Sequence, residues 1–193
     1  MKNLTAGAAL ALVLSLLHLH AAHAASAPAP EELTSLITTI KQRIEIGEEV
    51  ALGKWYSGKP VHDGDRERQV IANATSRAGE YRLGKDDVHR FMSAQIEANK
   101  MLQYARLAQW HAVGIAPQKA AANLAQDIRA RLDNLQPELL TAYAAFARYS
   151  RDVQCPAWTK SVTEQQATDP VVATAMLRAA GDLCTSSPTG TRS

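Results

Sequence analysis

The sequence predicts an all-α protein, a long-helix bundle of about five to six helices with one disulfide. Apolar residues recur at three- and four-residue steps through long blocks, the pattern of a helix with one buried face. No segment alternates apolar and polar side chains with enrichment in Val, Ile, Thr and aromatics, so no sheet is expected. The chain has 2 cysteines, Cys155 and Cys184, both in its carboxy-terminal part.

Its 193 residues are 46% hydrophobic and 21% charged, the composition of one ordinary globular domain. Residues 1–24 read as a cleaved signal peptide. Lys2 precedes an apolar run from Ala6 to Leu19, and Ala22-His23-Ala24 offers the small residues of a cleavage site. The competing reading is a membrane anchor. The run is shorter than the roughly 20 residues a bilayer requires, and His18 and His20 interrupt it. The expected location is therefore periplasmic or secreted, with no membrane association once the leader is gone. Losing the leader lowers the formal charge from +2 to about +1, a balance that points to no nucleic-acid partner.

Residues 25–32 form a small-residue and Pro linker, 33–184 the helical domain, and 185–193 a tail expected to be disordered. Leu33, Leu36, Ile37, Ile40 and Ile44 set the buried face of a long first helix that reaches about Tyr56. Ser57-Gly58-Lys59-Pro60 breaks it, and Asp63 or Asp65 caps a second helix running to about Ala78. After a turn over Gly79 to Gly84, Asp86 or Asp87 caps a third helix. Val88, Phe91, Met92, Ile96, Leu102, Leu107 and Trp110 carry its apolar period to about His111. Ala116-Pro117 ends that region. An Ala-rich fourth helix runs to about Tyr149 with Pro137 as a kink or break, and Asp169-Pro170 opens a short last helix ending near Cys184. Trp55 and Trp110 are assigned to the core.

An even cysteine count in an oxidising compartment argues for a Cys155–Cys184 bridge. Closing a loop of that length stabilises the fold by roughly 3 to 4 kcal/mol on a chain-entropy basis. No paired Cys or His ligands accompany these residues, so no zinc or other metal site is expected. Gly-rich phosphate loops, HExxH, GxSxG and CxxC motifs are absent, and the mature chain keeps only His62, His89 and His111. A metal, nucleotide or catalytic-triad enzyme is not expected, and no cofactor is implied. Asn73-Ala74-Thr75 matches a glycosylation acceptor but falls inside a predicted helix and carries little weight.

The informative residues are cations and amides at buried-face positions. On a helix, Gln95, Asn99 and Gln103 fall within about 80° of one another, on the arc of Val88, Met92 and Trp110. A buried amide without a partner costs roughly 1 to 3 kcal/mol, so this row faces either a satisfied polar network or a wet cavity. Arg43 and Lys54 are separated by nearly three whole turns and project at almost the same angle beside Leu36. Either one alone reads as a solvated charge.

Taken together, the stretches IKQRIEIGEEVALGKW, KPVHDGDRERQV and FMSAQIEANKMLQYARLAQW resemble the signature of the all-helical, type II chorismate mutases. The leader and the two cysteines resemble the secreted, periplasmic (gamma) subclass of that family. The similarity spans about Leu33 to Trp110 and thins beyond it. It implies that Arg43 and Lys54 bind substrate from the first helix, and that the loop acid and following Arg are Asp63 and Arg66. It further implies that the polar pair of the third helix is Asn99 and Gln103, with Asn99 standing where the family usually has Ser or Thr. Secreted members draw another Arg from the next helix, for which Arg131 is the first match and Arg129 the second. Catalysis would rest on Lys54, Gln103 and Arg43, and family habit implies a homodimer.

The implied reaction rearranges chorismate to prephenate, a concerted shift without nucleophile, metal or proton transfer, which agrees with the missing motifs. Such a site must hold a flexible dianion in a folded geometry, for which guanidinium clamps suit the carboxylates. It must also aim a donor at the ether oxygen as charge develops there, the role expected of Lys54 and Gln103. Asp63 reads equally as a helix N-cap. Two other classes compete: an exported small-anion-binding module without chemistry, and a helical adaptor that engages a host partner through an exposed apolar patch.

Overall fold

The computed structural model describes residues 27–118 and 124–185, with side chains of the fourth helix from residue 127 onward. The predicted leader, the start of the linker and the tail beyond Thr185 lie outside the described residues. Six α-helices are present among the described residues: α1 (Glu31–Ser57), α2 (Gly64–Ser76), α3 (Lys85–Val113), α4 (Leu124–Phe146), α5 (Cys155–Gln166) and α6 (Pro170–Ala180). Single 3-10 turns at Ala78–Tyr81 and Ala147–Tyr149 follow α2 and α4, and no strand occurs among the described residues.

The helix ends follow the local chemistry. Glu31 and Glu32 sit in the first turn of α1, where they complement the positive end of the helix dipole. Gly58 closes α1 at φ 67°, a conformation that favours glycine, and its N–H donates to the Lys54 carbonyl. Of the two acids that could cap α2, Asp63 does so: its carboxylate accepts from the Arg66 N–H at 3.1 Å. Glu67 returns the bond, accepting from the Asp63 N–H, a reciprocal arrangement like a capping box. Asp169 caps α6 by accepting from the N–H groups of Val171 and Val172, with Pro170 in the first turn.

Several expectations are corrected. Neither Asp86 nor Asp87 caps α3: Gly84 is the N-cap, and both acids lie in the first turn, where they meet the helix dipole. Pro137 does not break α4, because Leu135, Leu139, Leu140 and Tyr143 bury the turns around it. α6 ends at Ala180, short of Cys184. Helix α5 was not foreseen, since its buried face is made of Cys155, Thr159, Val162 and Thr163, too polar to show an apolar stripe. Trp55 and Trp110 are half-buried rather than core, packed edge to face with ring centroids 6.1 Å apart.

The core lies where α1 crosses α3, α4 and α6. Leu33, Leu36, Ile37, Ile40 and Ile44 of α1 are fully buried, as the periodicity required. They meet Val88, Phe91, Met92 and Leu102 of α3, Leu139 and Leu140 of α4, and Val172 and Met176 of α6 in one contiguous cluster. Phe91 stacks on Tyr143 at 4.2 Å between centroids. The Cys155–Cys184 disulfide forms as expected, joining the start of α5 to the segment after α6 across a Cα–Cα distance of 5.8 Å. No described helix is long and apolar enough to cross a membrane.

Candidate active site

A cavity of about 450 Å³ opens between α1, α2, α3 and α4, beside the main core. Its walls include the apolar side chains of Val50, Val61, Val70, Ile96, Ile128 and Leu132. The polar lining is dominated by cations, with Arg43, Lys54, Lys59, Arg66, Lys100 and Arg129 set against Asp63, Glu67 and Asp133. An anionic ligand of modest size suits such a cavity.

Arg43 projects from the centre of α1 and is only 6% exposed. Its Nε is buried without a hydrogen-bond partner among the described residues. Burial pushes its pKa down to about 10 although the carboxylate of Asp133 favours the charge. A buried guanidinium with an unused donor is costly, and a carboxylate ligand is the group that would satisfy it.

Three turns along the same face, the Lys54 ammonium donates to the Val61 carbonyl at 2.8 Å, which ties α1 to the loop entering α2. On that loop and α2, Arg66 bonds Gln69 at 3.0 Å and Asp133 at 3.3 Å, which spans the cavity mouth from α2 to α4. Lys100 donates to Glu67 at 2.9 Å. Burial acts to raise the Glu67 pKa, but bonds from Lys100 and the Asp63 N–H outweigh it and hold the carboxyl below its ordinary range.

The amide row divides. Gln95 turns away from the cavity, fully buried, and donates to the Ala179 carbonyl of α6 at 2.9 Å. Asn99 and Gln103 line the cavity and are linked by a hydrogen bond of 2.6 Å from Gln103 Nε2 to Asn99 Oδ1. Gln95 is thus only partly satisfied, its Oε1 buried without a partner among the described residues, whereas Asn99 and Gln103 face a cavity, the second alternative read from the sequence.

Arg43, Lys54, Asp63, Arg66, Asn99 and Gln103 are thus brought together at one cavity. Arg131 lies apart: it points to the outside of α1 and bonds both carboxylate oxygens of Glu49 at 2.7 Å. Arg129 lines the cavity. Lys59, Glu67, Lys100 and Asp133 were not singled out from the sequence. For Lys100 a signal existed, since it falls one turn after Ile96 on the arc next to Asn99. Among the described residues no group of His, Cys, Asp and Glu could hold a metal ion.

A helical bundle enclosing a cation-lined cavity defines the class, and comparison with known proteins narrows it. Residues 34–104 match the family description Chorismate mutase type II. The chain is 31% identical to the secreted chorismate mutase of Mycolicibacterium smegmatis over 120 residues, which is 62% of this chain and 66%, just under two thirds, of that relative. The crystal structure of a chorismate mutase from Burkholderia phymatum superposes with a TM-score of 0.77 at 36% identity, covering 81% of this chain and 98% of that one. That of Burkholderia thailandensis gives 0.76 at 30% identity, over 80% and 100%. The chain belongs to the type II chorismate mutase family.

Proposed function

We propose that the protein is an exported chorismate mutase that rearranges chorismate to prephenate in the cavity between α1 and α4. The observation that carries this reading is Arg43, buried with an Nε donor that has no partner among the described residues, on the same cavity as Lys54 and Gln103. Arg43 and Arg66 clamp the two carboxylates, with Arg129 rather than Arg131 completing the set from α4, because Arg131 is engaged by Glu49 outside the cavity. Asp63 holds the amino end of α2 and so fixes the approach of Arg66.

The clamp selects the folded conformer, in which the enolpyruvyl carbon lies over the ring. In one concerted step the ether C–O bond breaks and a C–C bond forms, with no proton moved. Negative charge grows on the departing oxygen, and the Lys54 ammonium and the Gln103 amide stabilise it more than they stabilise the ground state.

Secretion is supported by the name of the Mycolicibacterium relative and by the disulfide, which belongs to an oxidising compartment. Assembly as a homodimer is implied by family habit, and light scattering on the mature protein tests it. The functional test is the loss of chorismate absorbance with purified mature protein, Arg43→Ala serving as control. Turnover abolished by that substitution supports the proposal. Saturable chorismate binding with no prephenate formed would make the protein a small-anion binder instead.

A further inference from the structure

Gly47 lies in the middle of α1 and is buried, a position where glycine weakens a helix relative to alanine. The neighbouring helix supplies a reason for it. A β-carbon built on Gly47 would lie 2.5 Å from Asn99 Nδ2 and 3.0 Å from both Asn99 Cγ and Leu102 Cδ2. The Asn99 amide therefore fills the volume that any side chain at position 47 would take. From there its Nδ2 donates to the main-chain carbonyl of Arg43, one turn earlier on α1, at 3.1 Å.

That bond has a direction which propagates. A main-chain carbonyl only accepts, so it fixes which end of the Asn99 amide faces α1. Asn99 Oδ1 is left facing Gln103 and accepts from its Nε2 at 2.6 Å. Gln103 is thereby held with its nitrogen on the Asn99 side. One of its two amide hydrogens is committed and the other is left for a ligand, while Oε1 is buried without a partner among the described residues. Rotating the Gln103 amide by half a turn would set two carbonyl oxygens against each other.

We propose that Gly47 and Asn99 are positioning residues that orient the Gln103 amide so that it presents a hydrogen-bond donor to the substrate. The proposal rests on the reading of this cavity as the chorismate site. Asn99 acts through Gln103, and Gly47 acts by leaving room for Asn99. Because the group displaced by a methyl at position 47 is the end of a flexible side chain, the fold tolerates the change and the orientation does not.

Gly47→Ala should lower kcat about tenfold, a fraction of what loss of a whole oxyanion donor costs, with KM nearly unchanged and the melting temperature close to wild type. Asn99→Ala should do the same, and the Gly47→Ala, Asn99→Ala double variant should be no slower than Asn99→Ala. In a Gln103→Ala background, Asn99→Ala should change kcat by less than about twofold. This last comparison carries the test if Gly47→Ala does not fold. Multiplicative losses in either pair, or an unaltered kcat in Gly47→Ala, would overturn the proposal. Orientation is read independently of turnover by hydrogen exchange of the Gln103 side-chain amide, slow in the wild type and faster in Asn99→Ala. Equal exchange rates would overturn it, whereas a wild type without turnover but with the protected amide would sink the proposed function and leave the orienting role in place.

Discussion

The Lys54 ammonium stands 2.8 Å from the Val61 carbonyl, bridging the last turn of α1 and the loop that leads into α2. Burial, aided by Lys100, disfavours its charge more than Asp63 and Glu67 favour it, so its pKa lies below the ordinary lysine value. The half-buried ammonium thus faces the cavity with part of its hydration already removed. Lys54→Ala should reduce turnover by about a hundredfold or more while leaving the helical circular dichroism spectrum intact. Retained turnover in that variant would remove Lys54 from the chemistry.

The rate should be nearly flat from about pH 5 to 8 and should fall at higher pH. In the proposed function it is the charged forms of Lys54 and Arg43 that would bind the dianion, and both titrate below their usual values, Arg43 at about 10. On the acid side Glu67 ionises below the ordinary carboxylate range and keeps Lys100 in place. Stability follows the same signs. The depressed Glu67 contributes stability above its unfolded pKa and loses it as pH falls through the folded value. Burying charged Lys54 opposes folding at neutral pH, an opposition relieved as pH rises through its depressed folded value. Initial rates across a buffer series check this, and a steep acid-side optimum would contradict it.

Gln103→Glu should convert that flat profile into an acidic one. A carboxyl donates a hydrogen bond only when protonated, and the site at position 103 is 4% exposed, which favours the neutral form. Activity should be highest at about pH 5 and decline toward neutrality. A profile parallel to that of the wild type would show that the amide hydrogen is not used.

Arg129→Ala should raise KM about tenfold, the loss of roughly one charge-assisted hydrogen bond, while Arg131→Ala should stay near wild type. The difference follows from placement, since Arg129 lines the cavity and Arg131 is held by Glu49 at 2.7 Å on an exposed surface. Steady-state kinetics of the two variants decide between them.

Replacing Cys155 and Cys184 together by Ser should lower unfolding free energy by about 3 kcal/mol and leave kcat of the folded protein unchanged. The bridge spans a sequence separation of 29, and neither cysteine lines the cavity. Chemical denaturation followed by ellipticity gives the first quantity.

The long apolar faces of α1 and α3 were legible because Leu33 to Ile44 and Val88 to Leu102 keep a helical period and are buried. Helix α5 was not, because Thr159 and Thr163 face inward where periodicity looks for aliphatic residues. Asn99 and Gln103 could be assigned to one arc from spacing alone. That Gln95, on the same arc, serves the α6 packing instead depends on where the Ala179 carbonyl lies, which is a tertiary fact. The choice between Arg129 and Arg131 is likewise tertiary, since both side chains are exposed and they differ in that Arg129 lines the cavity while Arg131 is paired with Glu49.

The cavity is lined from α1 to α4 and the loop before α2, whereas the disulfide joins α5 to the segment behind α6. Durability and chemistry are therefore housed on different flanks of α1 and α3. Sequence drift in the carboxy-terminal layer can adjust resistance to heat or proteases while the side chains that line the cavity keep their positions. The same partition makes that layer the natural place to engineer robustness without retuning the reaction.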